Sequence, residues 1–126
     1  MTDGQRPYFD ALYAHSDDPY ALRDRWYEAR KRAVLLAALP RQHYAKAYEP
    51  GCGAGELTHA LAARCGQLLA SDFSDRAVQI TQERTRELPN VRVEQHALPG
   101  DWPVAAGPFD LIVLSEVGYF LQRADM

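Results

Sequence analysis

The sequence predicts an α/β domain, an open parallel sheet with helices on both faces, and three observations carry that prediction. The stretch Ala47-Tyr48-Glu49-Pro50-Gly51-Cys52-Gly53-Ala54-Gly55-Glu56-Leu57 is a short extended run ending in a carboxylate, then three glycines on alternate positions, then the start of a helix. Asp72 follows Gly55 by 17 residues (72 minus 55), at the end of a second apolar run. Helical and extended patterns then alternate as far as Leu114. This order belongs to sheets whose ligands bind outside the carboxyl ends of the strands.

Residues 1–42 read as a helical segment ahead of the first strand. Positive charge gathers from Arg23 to Arg32, but Asp24 and Glu28 are interleaved, so a solvated helix face accounts for the run. Trp26 and Arg30 share a helix face with Tyr27 offset by one position, which leaves two readings, an aromatic wall over a ligand or helix packing.

The first strand ends on Glu49. Gly51, Gly53 and Gly55 permit a tight strand-to-helix turn, either with main-chain N–H groups facing a small molecule or as a turn without a ligand. The spacing G-x-G-x-G misses the dinucleotide fingerprint because Glu56 stands where its third glycine belongs. No Gly-Lys-Ser/Thr follows, which excludes a P-loop.

Leu57, Leu61 and Ala62 keep helical spacing up to Cys65-Gly66, where Gly66 is placed as the helix cap. Gln67 to Ser71 form the second strand, ending on Asp72. There a carboxylate either accepts hydrogen bonds from ribose hydroxyls or serves the next helix start together with Ser74 and Asp75. Asp75 to Glu87 form a polar-faced helix with Val78 and Thr81 inward, closed by Leu88-Pro89-Asn90. Val91 to Gln95 alternate as a strand and lead into His96. Phe109 to Leu114 are nearly continuous, as in a strand covered on both faces, and lead into Ser115 and Glu116.

The chain has 126 residues, 47% of them hydrophobic and 25% charged, with a formal net charge of −3. That balance suits one soluble domain and carries no nucleic-acid signature. The amino terminus lacks a secretion-signal layout and the apolar runs are too short to cross a bilayer, so a cytoplasmic protein is expected. Cys52 and Cys65 flank one helix, roughly 18–20 Å apart at its rise per residue, beyond disulfide reach. Neither has a CxxC or nearby His pattern, so no metal is expected, and Cys52 reads as a small buried loop residue. The chain stops where a further helix and the last strands of such a sheet are due. An incomplete domain with an open sheet edge, prone to self-association, is therefore expected.

The motif E-x-G-x-G-x-G with Asp72 resembles motif I of class I S-adenosylmethionine-dependent methyltransferases and implies a Rossmann-like methyltransferase core. Arg25 to Arg32 with Leu35 to Pro40, and Leu114 to Leu121, are similar to segments of the nodulation protein S family. The resemblance spans about Trp26 to Leu121. It implies S-adenosyl-L-methionine as cofactor and N-methylation of the free amino group of a deacetylated chitooligosaccharide, a step in oligosaccharide biosynthesis, with a small molecule or oligosaccharide as acceptor.

Carried over by position, Gly51, Cys52, Gly53 and Gly55 line the methionine moiety, and Glu49 lies near its amino group. Asp72 holds the ribose with Phe73 beside the adenine. His96 and Ala97 stand where the superfamily often places Asp and a small residue against the adenine amino group, so His96 either touches cofactor or is a satisfied loop residue. Ser115, placed among the cofactor-binding residues, and Glu116 fall at the rim of the fourth strand. The sulfonium already activates the methyl group, so positioning dominates, and a carboxylate that accepts the amine's proton would raise the reactive fraction. Glu116 is the candidate base, with capping of the next helix as its other reading and Tyr119 beside it to shape the pocket. Two alternatives stand beside this one. The first is a truncated, catalytically silent cofactor-binding domain that needs a partner. The second is a nucleotide-dependent oxidoreductase, which the loop spacing disfavours.

Overall fold

The computed structural model describes residues 25–114. Helix α1 (Arg25–Ala38) leads to strand β1 (Tyr44–Pro50), helix α2 (Glu56–Leu61) and strand β2 (Cys65–Asp72), then helix α3 (Asp75–Arg84) and strands β3 (Val91–Gln95) and β4 (Leu111–Ile112). The sheet is parallel with strand order β3-β2-β1-β4. The chain therefore reverses direction across the sheet between β1 and β4, the switch point at which ligands of such sheets collect.

One face holds the core. Ala47 of β1, Leu68 of β2 and Val113 just after β4 meet Leu61 and Ala62, with Leu35, Leu36 and Leu39 closing over them. Further along, Ala70 and Val93, cross-strand partners, pack on Val78 of α3. Leu61 and Leu68 are essentially inaccessible to solvent, and burial of each contributes about 2 kcal/mol. The other face is covered by the connection between β3 and β4, where Tyr48 stacks on Phe109 at 5.3 Å and meets Trp102 edge-on at 5.1 Å.

The inward stripe of α1 runs through Glu28, Arg32, Leu35 and Leu36, which are half-buried. Trp26 and Tyr27 fall off that stripe and stand 74% and 52% exposed. Of the two readings of these aromatic residues, packing into the core is not the one that Tyr27 takes.

Gly66 is not a helix cap. A 3₁₀ turn at Ala62–Arg64 runs directly into β2, so Gly66 sits inside the strand beside β1. A Cβ there would lie 2.9 Å from the Ala45 carbonyl oxygen, so the glycine marks a close strand approach. Gly66→Ala is expected to cost about 1–3 kcal/mol by overpacking, measured as a lower urea midpoint at unchanged m-value; an unchanged midpoint would show that the strands part without strain.

α3 ends at Arg84, short of Glu87. Thr85 donates both its N–H and its hydroxyl to the Thr81 carbonyl, and Pro89 disfavours helix at Leu88. The fourth strand is also shorter than its apolar run. Asp110 takes the place of a ladder residue by accepting the N–H groups of Ala45 and Lys46, both at 2.8 Å. These bonds hold its carboxyl below the usual range. Ile112 and Leu114 are 42% and 58% exposed, so β4 is covered on one face rather than both among the described residues. No described helix is long and apolar enough to cross a membrane.

Candidate cofactor site

The three loop glycines all take positive φ, 72° at Gly51, 57° at Gly53 and 83° at Gly55, backbone that other residues adopt only with strain. Helix α3 fixes the loop from behind. The Thr81 hydroxyl donates to the Gly53 carbonyl at 2.9 Å, and Arg84 Nε donates to that of Ala54 at 2.8 Å. Arg84 also pairs with Glu56 at 3.6 Å, and Glu56 pairs with Arg32 of α1 at 3.1 Å, which ties the amino-terminal helix to the start of α2.

Three of the loop's N–H groups are engaged within the chain. Cys52 N–H donates to the Ser71 carbonyl, Gly55 N–H to that of Cys52, and Gly53 N–H to Asp72 Oδ2 at 3.0 Å. The anion this loop cradles is its own Asp72, so these three donors do not form a phosphate nest. The second oxygen of Asp72 accepts the Ser74 N–H at 3.0 Å. Ser74 itself caps α3, its hydroxyl accepting from Ala77 N–H at 3.2 Å. Asp72 thus bridges the glycine loop to the start of the next helix with only 8% of its surface exposed.

Glu49 is 2% exposed. The Thr58 hydroxyl donates to its Oε1 at 2.6 Å, and its Oε2 has no hydrogen-bond donor among the described residues. Burial, with a smaller contribution from the Asp72 charge, pushes its carboxyl up to about 8, against the lowering effect of Thr58. Glu49 therefore takes up a proton on folding, and it subtracts from stability as pH rises from the ordinary 4.5 toward that value. Cys52 is also buried, its thiol raised by desolvation and its Sγ 3.5 Å from Thr81 Oγ1.

Both ring nitrogens of His96 are occupied. Nδ1 lies 2.8 Å from the Tyr48 hydroxyl and Nε2 3.0 Å from Glu94 Oε1. Tyr48 in turn lies 2.8 Å from Ser71 Oγ, and burial raises its phenol to about 12. The chain Ser71–Tyr48–His96–Glu94 crosses three strand ends beneath the site. His96 N–H also donates to the Asp72 carbonyl at 3.0 Å, and Ala97 N–H to Asp101 Oδ2 at 2.9 Å. Each ring nitrogen of His96 thus has a partner within the chain.

Phe73 is buried at 3% exposure. Glu49, Gly51, Cys52, Gly53, Gly55, Asp72, Phe73, His96 and Ala97 gather at the carboxyl ends of β1, β2 and β3. Ser115, Glu116 and Tyr119 lie outside the described residues. Sequence reasoning missed Tyr48, Thr58 and Ser71. Tyr48 and Ser71 could have been found from strand alternation, since they face the side opposite Glu49 and Asp72. Thr58 carried no signal beyond its place on the first turns of α2.

A methyltransferase-domain family model matches residues 47–126. The chain is 32% identical to nodulation protein S of Rhizobium tropici over 112 residues, covering 84% of this chain and 44% of that relative. It therefore spans about half the length of the curated relatives of that kind. It superposes on the N-methyltransferase NodS of Bradyrhizobium japonicum WM9, in complex with S-adenosyl-L-homocysteine, with a TM-score of 0.79 and 29% identity, covering 97% of this chain and 61% of that one. A crystal structure assigned to the methyltransferases, from Pseudomonas syringae, is 51% identical with a TM-score of 0.70, covering 79% of this chain and 62% of that one. The parallel sheet, the glycine loop and the family match agree, and the chain belongs to the methyltransferase domain family, with a class I fold similar to that of NodS.

Proposed function

We propose that this chain is the cofactor-binding part of an S-adenosylmethionine-dependent N-methyltransferase whose acceptor is the free amino group of a deacetylated chitooligosaccharide. The observation that carries the cofactor reading is the buried Glu49 carboxyl beside the three positive-φ glycines, with an oxygen that no described residue engages. A buried polar atom without a partner is costly unless a ligand completes it, and a ligand that ends in an ammonium fits. Similarity to NodS supports the choice of an amine acceptor.

The cofactor is S-adenosylmethionine, which supplies a methyl group already activated on its sulfonium. The chain's own residues position it. Glu49 meets the amino group, Gly51 to Gly55 follow the methionine, and Asp72 accepts from the ribose hydroxyls in an orientation set by Gly53 and Ser74. Phe73 and the Ala97 segment flank the adenine. His96 contributes by fixing the end of β3 through Tyr48 and Glu94 rather than by offering a ring nitrogen. Glu116 remains the candidate general base, and Ser115 the neighbouring rim residue.

Calorimetric titration with S-adenosylhomocysteine tests the first half of this reading, and transfer of labelled methyl to deacetylated chitooligosaccharide tests the second. Micromolar binding with transfer is expected. A folded chain that binds no S-adenosylhomocysteine would overturn the cofactor assignment, and binding with transfer only to other acceptors would overturn the substrate.

A further inference from the structure

Tyr48 is wholly buried, yet its hydroxyl meets polar groups from two other parts of the sheet, Ser71 Oγ and His96 Nδ1, each at 2.8 Å. The direction of these bonds follows from the far end of the chain they belong to. Glu94 pairs with Arg92 at 2.8 Å, and as a carboxylate it can only accept. The His96 nitrogen that faces it, Nε2, therefore carries a proton. In a neutral ring Nδ1 is then bare, so the Tyr48 O–H donates to His96 and the Tyr48 oxygen accepts from the Ser71 hydroxyl. One proton order satisfies all four groups. Phe109 stacks on the Tyr48 ring and Trp102 meets it edge-on, so the connection between β3 and β4 holds the ring in place. Ser71 and His96 are themselves buried, which leaves solvent a poor substitute for the hydroxyl.

The two neighbours of that hydroxyl are also main-chain partners of the site. The Ser71 carbonyl accepts the Cys52 N–H of the glycine loop, and the His96 N–H donates to the Asp72 carbonyl. His96 leads directly into Ala97, whose N–H is held by Asp101. Resting on the cofactor reading above, we infer that Tyr48 is a positioning residue for the adenosine half of the cofactor. It touches no ligand atom. It locks the His96 ring in the Nε2–H form, and the locked ring keeps the His96–Ala97 segment at a fixed spacing from Asp72, so that the ribose and adenine contacts are in place before the ligand arrives. Phenylalanine at this position retains the aromatic packing and loses the bond. His96 is then free to turn or to take the other tautomer, and the segment it anchors moves with it.

The test combines calorimetry with nitrogen NMR of the whole chain. Tyr48→Phe is expected to raise the Kd for S-adenosylhomocysteine roughly 5- to 10-fold, the scale of one hydrogen bond, at a temperature where circular dichroism shows the variant fully folded. The same factor is expected for 5′-methylthioadenosine, which has the adenosine and lacks the amino-acid end. In a His96→Gln background Tyr48→Phe should add almost nothing, because its route to the ligand is gone. The native chain supplies a measurement that needs no variant to fold well. Its four histidines give separate ring signals under nitrogen labelling, the pair absent from His96→Gln belongs to His96, and a neutral Nε2–H ring is expected at neutral pH with and without S-adenosylhomocysteine. A ring protonated on Nδ1 overturns the inference. Native affinity in folded Tyr48→Phe overturns it as well, as does a loss confined to S-adenosylhomocysteine or an equal loss in the His96→Gln background, and each of these leaves the cofactor assignment standing. Absence of S-adenosylhomocysteine binding by the native chain sinks both.

Discussion

Asp72→Ala is expected to weaken S-adenosylhomocysteine binding by at least ~100-fold and to destabilise the free chain by about 3 kcal/mol, because hydrogen bonds to a charged acceptor contribute about 1.5–3 kcal/mol each and two are lost. The structural loss is visible without a ligand. Gly53 N–H and Ser74 N–H both point at this carboxylate, and Asp72 is nearly buried. The replacement leaves both donors without their acceptor. Asp72→Asn separates the two roles. Its amide oxygen can serve one donor while its NH₂ opposes the other, so roughly half of the lost stability should return. Affinity should not return with it, because an amide cannot accept from both ribose hydroxyls as a carboxylate does. Urea unfolding reads the first effect and calorimetry the second. If Asp72→Asn bound as tightly as the native chain, the ribose role would be wrong and Asp72 would be a loop anchor only.

The double duty of Asp72 shows where sequence reasoning stopped. Its position at the end of β2 was legible from the apolar run and the spacing to Gly55, and both suggested roles, ligand acceptor and helix-start residue, rest on that placement. That its carboxylate would hold the glycine loop from the other side was not legible, because nothing in the sequence states the distance between Gly53 and Asp72. The glycines themselves were well marked, since positive φ is a local property that leaves a compositional trace. Gly66 was misplaced for the complementary reason. A glycine required by a neighbouring strand looks, in sequence, like a glycine required by a helix end.

The same limit applies to the apolar run at Phe109 to Leu114. Hydrophobic residues in a row indicate burial, but they do not say what covers them. Here Phe109 turns to stack on Tyr48, and Asp110 bonds to the start of β1. Only Leu111 and Ile112 pair as strand. His96 is the polar counterpart. A lone histidine at a strand end has too many possible partners for sequence to choose among them, and it was the alternation of β1 and β2 that placed Tyr48 and Ser71 on its side of the sheet.

Gly55→Ala tests how far the loop's shape belongs to the loop. Its φ of 83° costs a non-glycine residue roughly 1–2 kcal/mol. The added Cβ would stand 2.8 Å from Thr81 Cγ2 and 2.9 Å from Thr81 Oγ1, an overlap that adds about 1–3 kcal/mol if the surroundings resist. A total loss of about 2–5 kcal/mol is expected. Thr81→Ser removes the methyl while keeping the hydroxyl that donates to the Gly53 carbonyl. In the double variant the steric part should shrink and the φ part persist, giving a favourable coupling of about 1 kcal/mol in a double-mutant cycle measured by urea unfolding. Strict additivity would make φ the whole cause and Thr81 a bystander. Coupling would mean that α3 sets the position of the glycine loop, and because the same Thr81 hydroxyl holds Gly53, the displacement should reach the ligand side. Gly55→Ala should then lose affinity for S-adenosylhomocysteine under conditions where it is fully folded, and Thr81→Ser should restore part of it.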